Sequence, residues 1–155
     1  MKMFLTILTL IIVLMVIKNN TTPKNLGVKD GKLAKIPSSP NAVSSQTDIE
    51  DKKVEPLKFN GDLEEAKTKI INVINDYEGT EIIKNEKNYI HAVFTTGGMK
   101  FKDDVEFYFD ENSKLIHFRS ASRVGYSDMG LNKKRFNEIK NSLIYNHLKD
   151  TIQIE

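Results

Sequence analysis

Between Asn88 and Val124 three stretches alternate apolar and polar residues, YIHAVFT, VEFYFD and LIHFRS, with short breaks at Gly97-Gly98 and Glu111-Asn112-Ser113-Lys114. Period-two alternation describes strands with one face on a core, and breaks this short join antiparallel neighbours. The turns imply registers. Turning at Glu111 to Lys114 sets Phe109 opposite Ile116, Phe107 opposite Phe118 and Val105 opposite Ser120; turning at Gly97-Gly98 sets Phe94 opposite Phe101 and Ile90 opposite Val105. Apolar residues then meet apolar residues across both hairpins, as a sheet resting on a core requires. The expected strands are Asn88 to Thr96, Phe101 to Asp110 and Leu115 to Val124, with a fourth, less regular one at Glu81 to Lys84.

Helical spacing brackets these strands. From Asp62 the sequence DLEEAKTKIINVINDY puts Leu63, Ala66, Ile70, Val73, Ile74 and Tyr77 on one face, with Asp62 and Glu65 forming a capping start and Gly79 a natural stop. Asn132 to Lys149 reads as a second helix, with Phe136, Ile139, Leu143 and His147 in register. The expected architecture is α+β: a mainly antiparallel sheet of three to four strands backed by two helices, preceded by an N-terminal membrane segment. Its core draws on Leu63, Ile70, Ile74, Ile90, Phe94, Val105, Phe107, Phe109, Phe118, Phe136, Ile139 and Leu143.

The membrane segment is MFLTILTLIIVLMVI, Met3 to Ile17, a run without charge between Lys2 and Lys18. At 1.5 Å per residue it covers about 22 Å of a roughly 30 Å hydrocarbon layer, and snorkelling lysines at both ends extend its reach. No small-residue cleavage pattern follows in Val16 to Asn20, so residues 1–18 read as an uncleaved anchor, with a cleaved export signal as the alternative. The basic start and apolar run put the domain on the extracytoplasmic side. A positive-inside count, with five lysines downstream, argues for the cytoplasm. Residues 19–36 mix Asn, Thr, Lys and Gly without a period and read as a flexible basic linker; Pro37 to Gln46 is turn chemistry leading into a single domain, 37–155.

Charge and composition narrow the functional classes. Of the net +2 among 155 residues, Lys2 supplies +1 and the five lysines between Lys18 and Ile36, less Asp30, supply +4, leaving the domain at −3. An acidic domain is a poor match for a nucleic-acid backbone. The chain has no cysteine, which excludes disulfides, thiolate metal sites and cysteine nucleophiles. No motif for a serine hydrolase, a zinc protease or a phosphate loop occurs, and no cofactor is implied.

The sheet face opposite the core carries Tyr89, His91, Glu106, Tyr108, His117, Arg119 and Arg123. Glu106 falls opposite Arg119, with Asp104 diagonal to Arg119 and Arg123, a pattern that serves either as a solvated ion-pair ladder or as an anion site in which acids hold arginines for a ligand. His91 and His117 sit on different outer strands, too far apart to share a metal. Asp103 breaks the alternation by falling on the core face opposite Ala92; a bulge at Lys102 to Asp104 is the expected remedy, a buried carboxylate with a donor the other.

Three blocks, PNAVSSQ (Pro40 to Gln46), DDVEF (Asp103 to Phe107) and RSASRVGYSDMGLNKKR (Arg119 to Arg135), resemble the family catalogued as domain of unknown function DUF1499. The resemblance runs from about Pro37 to Leu143. It implies bacterial or plastid relatives, often with an export or membrane segment, and no established activity. Signature positions implied here are Asn41, Val43, Ser44, Ser45, Asp103, Asp104, Glu106, Arg119, Ser120, Ser122, Arg123, Gly125, Asp128, Gly130, Asn132 and Arg135, while Ala42 stands where the family often has cysteine.

Two functional readings follow. In one, a membrane-tethered envelope protein acts as a non-catalytic binding or assembly module, meeting an anionic small molecule or a protein partner at Arg119, Arg123 and Arg135. In the other, a hydrolase or transferase uses Asp103 or Asp104 near the Ser44-Ser45 loop. Candidate ligand-binding residues are Ser44, Ser45, Asp103, Asp104, Glu106, Arg119, Ser122, Arg123, Asp128 and Arg135.

Overall fold

The computed structural model describes the backbone of residues 1–152 and the side chains of residues 1–146. His147 and the end of the expected domain therefore lie outside the described side chains. In chain order the elements are helix α1 (Lys2–Asn20), strands β1 (Val28–Lys29), β2 (Lys32–Leu33) and β3 (Ala42–Ser44), a 3-10 turn at Glu50–Lys52, β4 (Leu57–Lys58), α2 (Leu63–Asn75), β5 (Thr80–Glu86), β6 (Tyr89–Thr95), β7 (Lys102–Asp110), β8 (Leu115–Ser122) and α3 (Leu131–Ile152).

The three alternating stretches form the antiparallel centre of a six-stranded sheet ordered β3-β8-β7-β6-β5, with β4 also paired to β8. The β7–β8 register has Phe109 opposite Ile116, Phe107 opposite Phe118 and Glu106 opposite Arg119, as the turn chemistry implies. The β6–β7 register is two residues off the glycine-pair expectation. Ile90 faces Phe107, Ala92 faces Val105 and Phe94 faces Asp103. The turn is longer than two residues: Thr96 N–H bonds the Phe101 carbonyl at 2.8 Å, Thr96 Oγ1 accepts from Phe101 N–H at 2.9 Å, and Lys100 takes a positive φ of 54°. A shift of two leaves every side chain on its expected face. No bulge interrupts β7; the register irregularity falls in β5, between Ile82 and Lys84.

Helices α2 and α3 cover the apolar face. Asp62 caps α2 by accepting from Glu65 N–H at 2.7 Å. Ile70, Ile74, Phe136 and Ile139 pack against Ile90, Val105, Phe107, Phe109 and Phe118, with Leu143 at the margin. Phe107, Phe109, Phe118, Ile70, Ile74, Ile90 and Ile139 have no exposed surface, and each contributes about 1.5 to 3 kcal/mol of burial. Gly79, at φ +72°, lets the chain turn from α2 into β5; a Cβ there would lie 2.8 Å from the Thr95 carbonyl oxygen.

The opposite face is also covered, which the sequence reading did not anticipate. Residues 19–36, expected as a flexible linker, contain the β1–β2 hairpin, which lies across β7 and β8. Leu33 is buried, its N–H bonding Gln46 Oε1 at 2.8 Å, while Gln46 Nε2 donates to the Gly31 carbonyl at 3.0 Å. Local contacts explain the ordering: the Gly27 N–H bonds Glu106 on the sheet, the Leu33 N–H bonds Gln46 just past β3, and the Leu33 side chain is buried. Ala42–Ser44, expected as loop, adds a strand to the edge of β8, and this strand together with β4 raises the count above the expected three to four.

Helix α1, 19 residues or about 28 Å, is long and apolar enough to cross a membrane, with mean hydropathy 2.0 over an 18-residue window. Its side chains are exposed except Asn19.

Candidate functional site

The charged residues singled out from the sequence divide into two buried networks, one on each face of the sheet. On the face away from the helices, strand alternation brings Tyr89, His91, Asp104, Glu106, Arg119 and Arg123 together. Arg123 grips Asp104 with both arms of its fork, Nε to Oδ2 and Nη2 to Oδ1, each at 2.8 Å. His91 Nε2 stands 2.8 Å from Asp104 Oδ1. Burial alone would raise the Asp104 carboxyl, but the hydrogen bonds and charge of Arg123 and His91 outweigh it and hold the group below its ordinary value. An ionised carboxylate only accepts, so His91 Nε2 carries the proton.

Beside this triad Glu106, with no exposed surface, takes three donors: Arg119 Nη1 at 2.6 Å on Oε2, and Tyr89 Oη at 2.7 Å and Gly27 N–H at 2.8 Å on Oε1. Burial and the neighbouring Glu106 charge push the Tyr89 phenol far up, so it remains a donor. The expected solvated ladder is therefore a closed interior network. Arg119 Nε is the buried side-chain atom without a hydrogen bond among the described residues.

Arg123 also reaches outside the sheet, donating Nη1 to the carbonyl of Asn19 at 3.2 Å. The Asn19 amide completes the joint, Nδ2 to the Lys100 carbonyl and Oδ1 from Lys102 N–H, both at 2.9 Å. The end of α1 is thus tied to β7 and β8 through the same guanidinium that neutralises Asp104.

On the helix side Asp103 is a buried carboxylate with a donor, not part of a bulge. Arg135 Nη2 reaches it at 2.6 Å, and the Arg135 guanidinium lies 4.8 Å from the Phe94 ring centre. Arg135 Nη1 continues to Asn132 Oδ1 at 2.6 Å and Ser120 Oγ at 3.1 Å, and Ser120 Oγ donates to Asn132 Oδ1. Asn132 Nδ2 donates to the Asn41 carbonyl and Ser122 Oγ, and Asp128 accepts from the N–H groups of Gly130 and Asn132 at the start of α3. This cluster staples α3 to β3, β7 and β8.

Ser44 and Ser45 lie elsewhere. Ser44 pairs with Arg119 on the strand beyond β8, two strand spacings, or about 10 Å, from β7 and a further ~7 Å along it from Asp104. Ser44 Oγ accepts from Gln46 N–H, and Ser45 Oγ accepts from Phe118 N–H at 2.9 Å. His117 Nδ1 is 3.4 Å from Ser45 Oγ, long for a nucleophile and its base, and the His117 ring stacks on Tyr108. The two histidines thus serve different neighbours. A depression of about 100 Å³ near the start of α3 is lined by Pro40, Val43, Lys52, Asp128 and Lys133; of the ten sequence candidates it touches only Asp128. Lys52 is not free there, since Nζ donates to the carbonyls of Pro37, Ser38 and Ser39.

The sequence reading missed Asn19, Gly27 and Gln46, which carry no signal beyond being polar or small. Asn41, Ser120 and Asn132 stood among the positions implied by the family resemblance. The family profile described as protein of unknown function (DUF1499) matches residues 32–143, taking in both networks apart from Asn19, Gly27 and the α1 joint. This chain belongs to the DUF1499 family. A search among curated proteins finds no match. The DUF1499 blocks become legible in the structure: DDVEF supplies the acids of both faces, alternating Asp103 inward to the helices with Asp104 and Glu106 outward, and the Arg119 to Arg135 block supplies an arginine for each.

Proposed function

We propose that this DUF1499 protein is a single-pass membrane protein, retained by α1 and not released by cleavage, that holds a non-catalytic binding or assembly module on the extracytoplasmic side. The observation that carries the reading is the Arg123 bridge. One guanidinium satisfies buried Asp104 and bonds the last turn of α1, so the helix is joined to the domain at a fixed point, not through a loose tether. A signal destined for removal gains nothing from an end whose Asn19 is buried with three hydrogen bonds to the domain.

Eight of the ten candidate residues serve this module from within, while Ser122 and Asp128 are half-buried. Arg119, Arg123 and Arg135 each spend their charge on a buried carboxylate, so an anionic molecule or protein partner meets some other surface. Separation of Ser44 and Ser45 from Asp103 and Asp104 argues against the hydrolase or transferase reading, which needs those groups within about 3 Å, or one water, of a common point.

Sidedness is tested with an impermeant maleimide. The chain has no cysteine, so Asn112→Cys, on the exposed β7–β8 turn, gives a unique label. Modification in cells with an intact cytoplasmic membrane supports the extracytoplasmic domain. Modification only after lysis places it in the cytoplasm, and label found on a shortened, soluble chain shows cleavage; either result overturns the proposal.

A further inference from the structure

We infer that the end of the sheet joined to α1 lies in the membrane interface, with the β6–β7 turn and the loop between β8 and α3 seated among lipid headgroups. The inference rests on the reading of α1 as a membrane anchor and adds a second membrane-contacting surface within the domain. Asn19 is two residues past Ile17, the last apolar residue of the run, or about 3 Å along the helix. Its side chain bonds the backbone of Lys100 and Lys102, and its carbonyl bonds Arg123. A bilayer that takes up α1 as far as Lys18 therefore has the Gly97–Lys100 turn at its boundary, and Tyr126 only three residues from Arg123, a reach of about 10 Å at most. The polar layer on each side of the hydrocarbon is about 5 to 8 Å deep.

Side-chain exposure supports the same end. Among the described residues that follow α1, the three most exposed large apolar side chains are Met129 at 98%, Tyr126 at 78% and Met99 at 76%, and all three lie on these loops. At the opposite end the turns are Glu86-Lys87-Asn88 and Glu111-Asn112-Ser113-Lys114, polar throughout. An isolated exposed apolar side chain is ordinary, but three on the two loops at the sheet end joined to an apolar helix form the pattern of a membrane-facing rim. Tyr126 suits the interface because its ring is apolar and its hydroxyl polar, while Lys18 and Lys100, both exposed, suit anionic headgroups.

The test uses the full chain in liposomes, with single cysteines at Met99→Cys, Tyr126→Cys, Asn112→Cys and Leu10→Cys carrying an environment-sensitive fluorophore, and lipids spin-labelled near the headgroup or deep in the chains. The inference expects blue-shifted emission and loss of intensity with the shallow quencher at positions 99 and 126, neither at 112, and quenching by the deep label at 10. Quenching at 10 with positions 99 and 126 behaving like 112 overturns the inference and leaves the anchor standing. A blue shift at 99 and 126 without lipid quenching means that protein, such as a second copy, covers the loops, and also overturns it. No quenching at 10 removes the anchor reading and the inference together.

Discussion

Replacing Arg123 with alanine perturbs the joint most informatively, because one guanidinium serves both a carboxylate and a helix end. Its two contacts to Asp104 are 2.8 Å each, and the side chains of Arg123 and Asp104 are 4% and 2% exposed. Unit charges 2.8 Å apart attract by about 6 kcal/mol at an effective dielectric constant near 20. Desolvation of the two ions offsets most of that, so the intact pair adds little net stability. Truncation is different: it strands a buried carboxylate with only His91 and removes the donor to the Asn19 carbonyl. The expected loss is about 3 to 5 kcal/mol, a large share of the 5 to 15 kcal/mol typical of a domain. Urea denaturation of the full chain in detergent micelles, followed by far-ultraviolet circular dichroism, reads it as a lower midpoint at unchanged slope. The double variant Asp104→Leu with Arg123→Met, which removes both charges and keeps volume, should lose less than Arg123→Ala alone. A loss below about 1 kcal/mol for Arg123→Ala, the size of an exposed pair, refutes the claim that the network is closed to water.

Other outcomes follow from single positions. Gly79→Ala should lower stability by more than about 1 kcal/mol, since the residue sits at φ +72° and the new methyl would meet the Thr95 carbonyl at 2.8 Å; an unchanged urea midpoint contradicts the turn geometry. Acidification should act in two windows. Burial lowers the His117 value from 6.5, so the unfolded chain takes its proton first and stability begins to fall below about pH 6.5; His117→Gln should remove this step. Asp104, held below 3.8 in the fold, contributes stability that is present above 3.8 and lost as pH drops from there toward its lower folded value, and that step should persist in the His117 variant.

How much was legible in the sequence depended on how local the determining physics is. Alternation and spacing located α2, α3 and β5 to β8, because facing Phe107 and Phe118 across a turn requires only the residues between them. The β6–β7 register failed by two, since Gly97-Gly98 suggested a tight turn where Thr96 and Phe101 close a wider one. Asp103 was recognised as an anomaly but its donor was not, because Arg135 lies 32 residues away on another element. Likewise, alternation alone leaves the chemistry-bearing side chains of the outer face open to water. What covers them is residues 19–36, whose composition resembles a spacer and whose order comes from partners outside the stretch, Gln46 nearby and Glu106, 79 residues beyond Gly27. Pairing of Glu106 with Arg119 was visible because both belong to one hairpin; the extension from Arg123 to Asn19 joins ends of the chain that no periodicity relates.

Residues 19–33 are part of the fold, closing the charged face and fixing α1 to the sheet. Amide hydrogen exchange on the full chain in nanodiscs tests this most directly, at Gly27 N–H on Glu106, Leu33 N–H on Gln46 and Lys102 N–H on Asn19. Slow exchange is expected at all three, lost at Gly27 when Glu106 is replaced by alanine. Rapid exchange throughout 19–33 in the unaltered chain would contradict it, leaving the acids and arginines of that face open to solvent and to ligands.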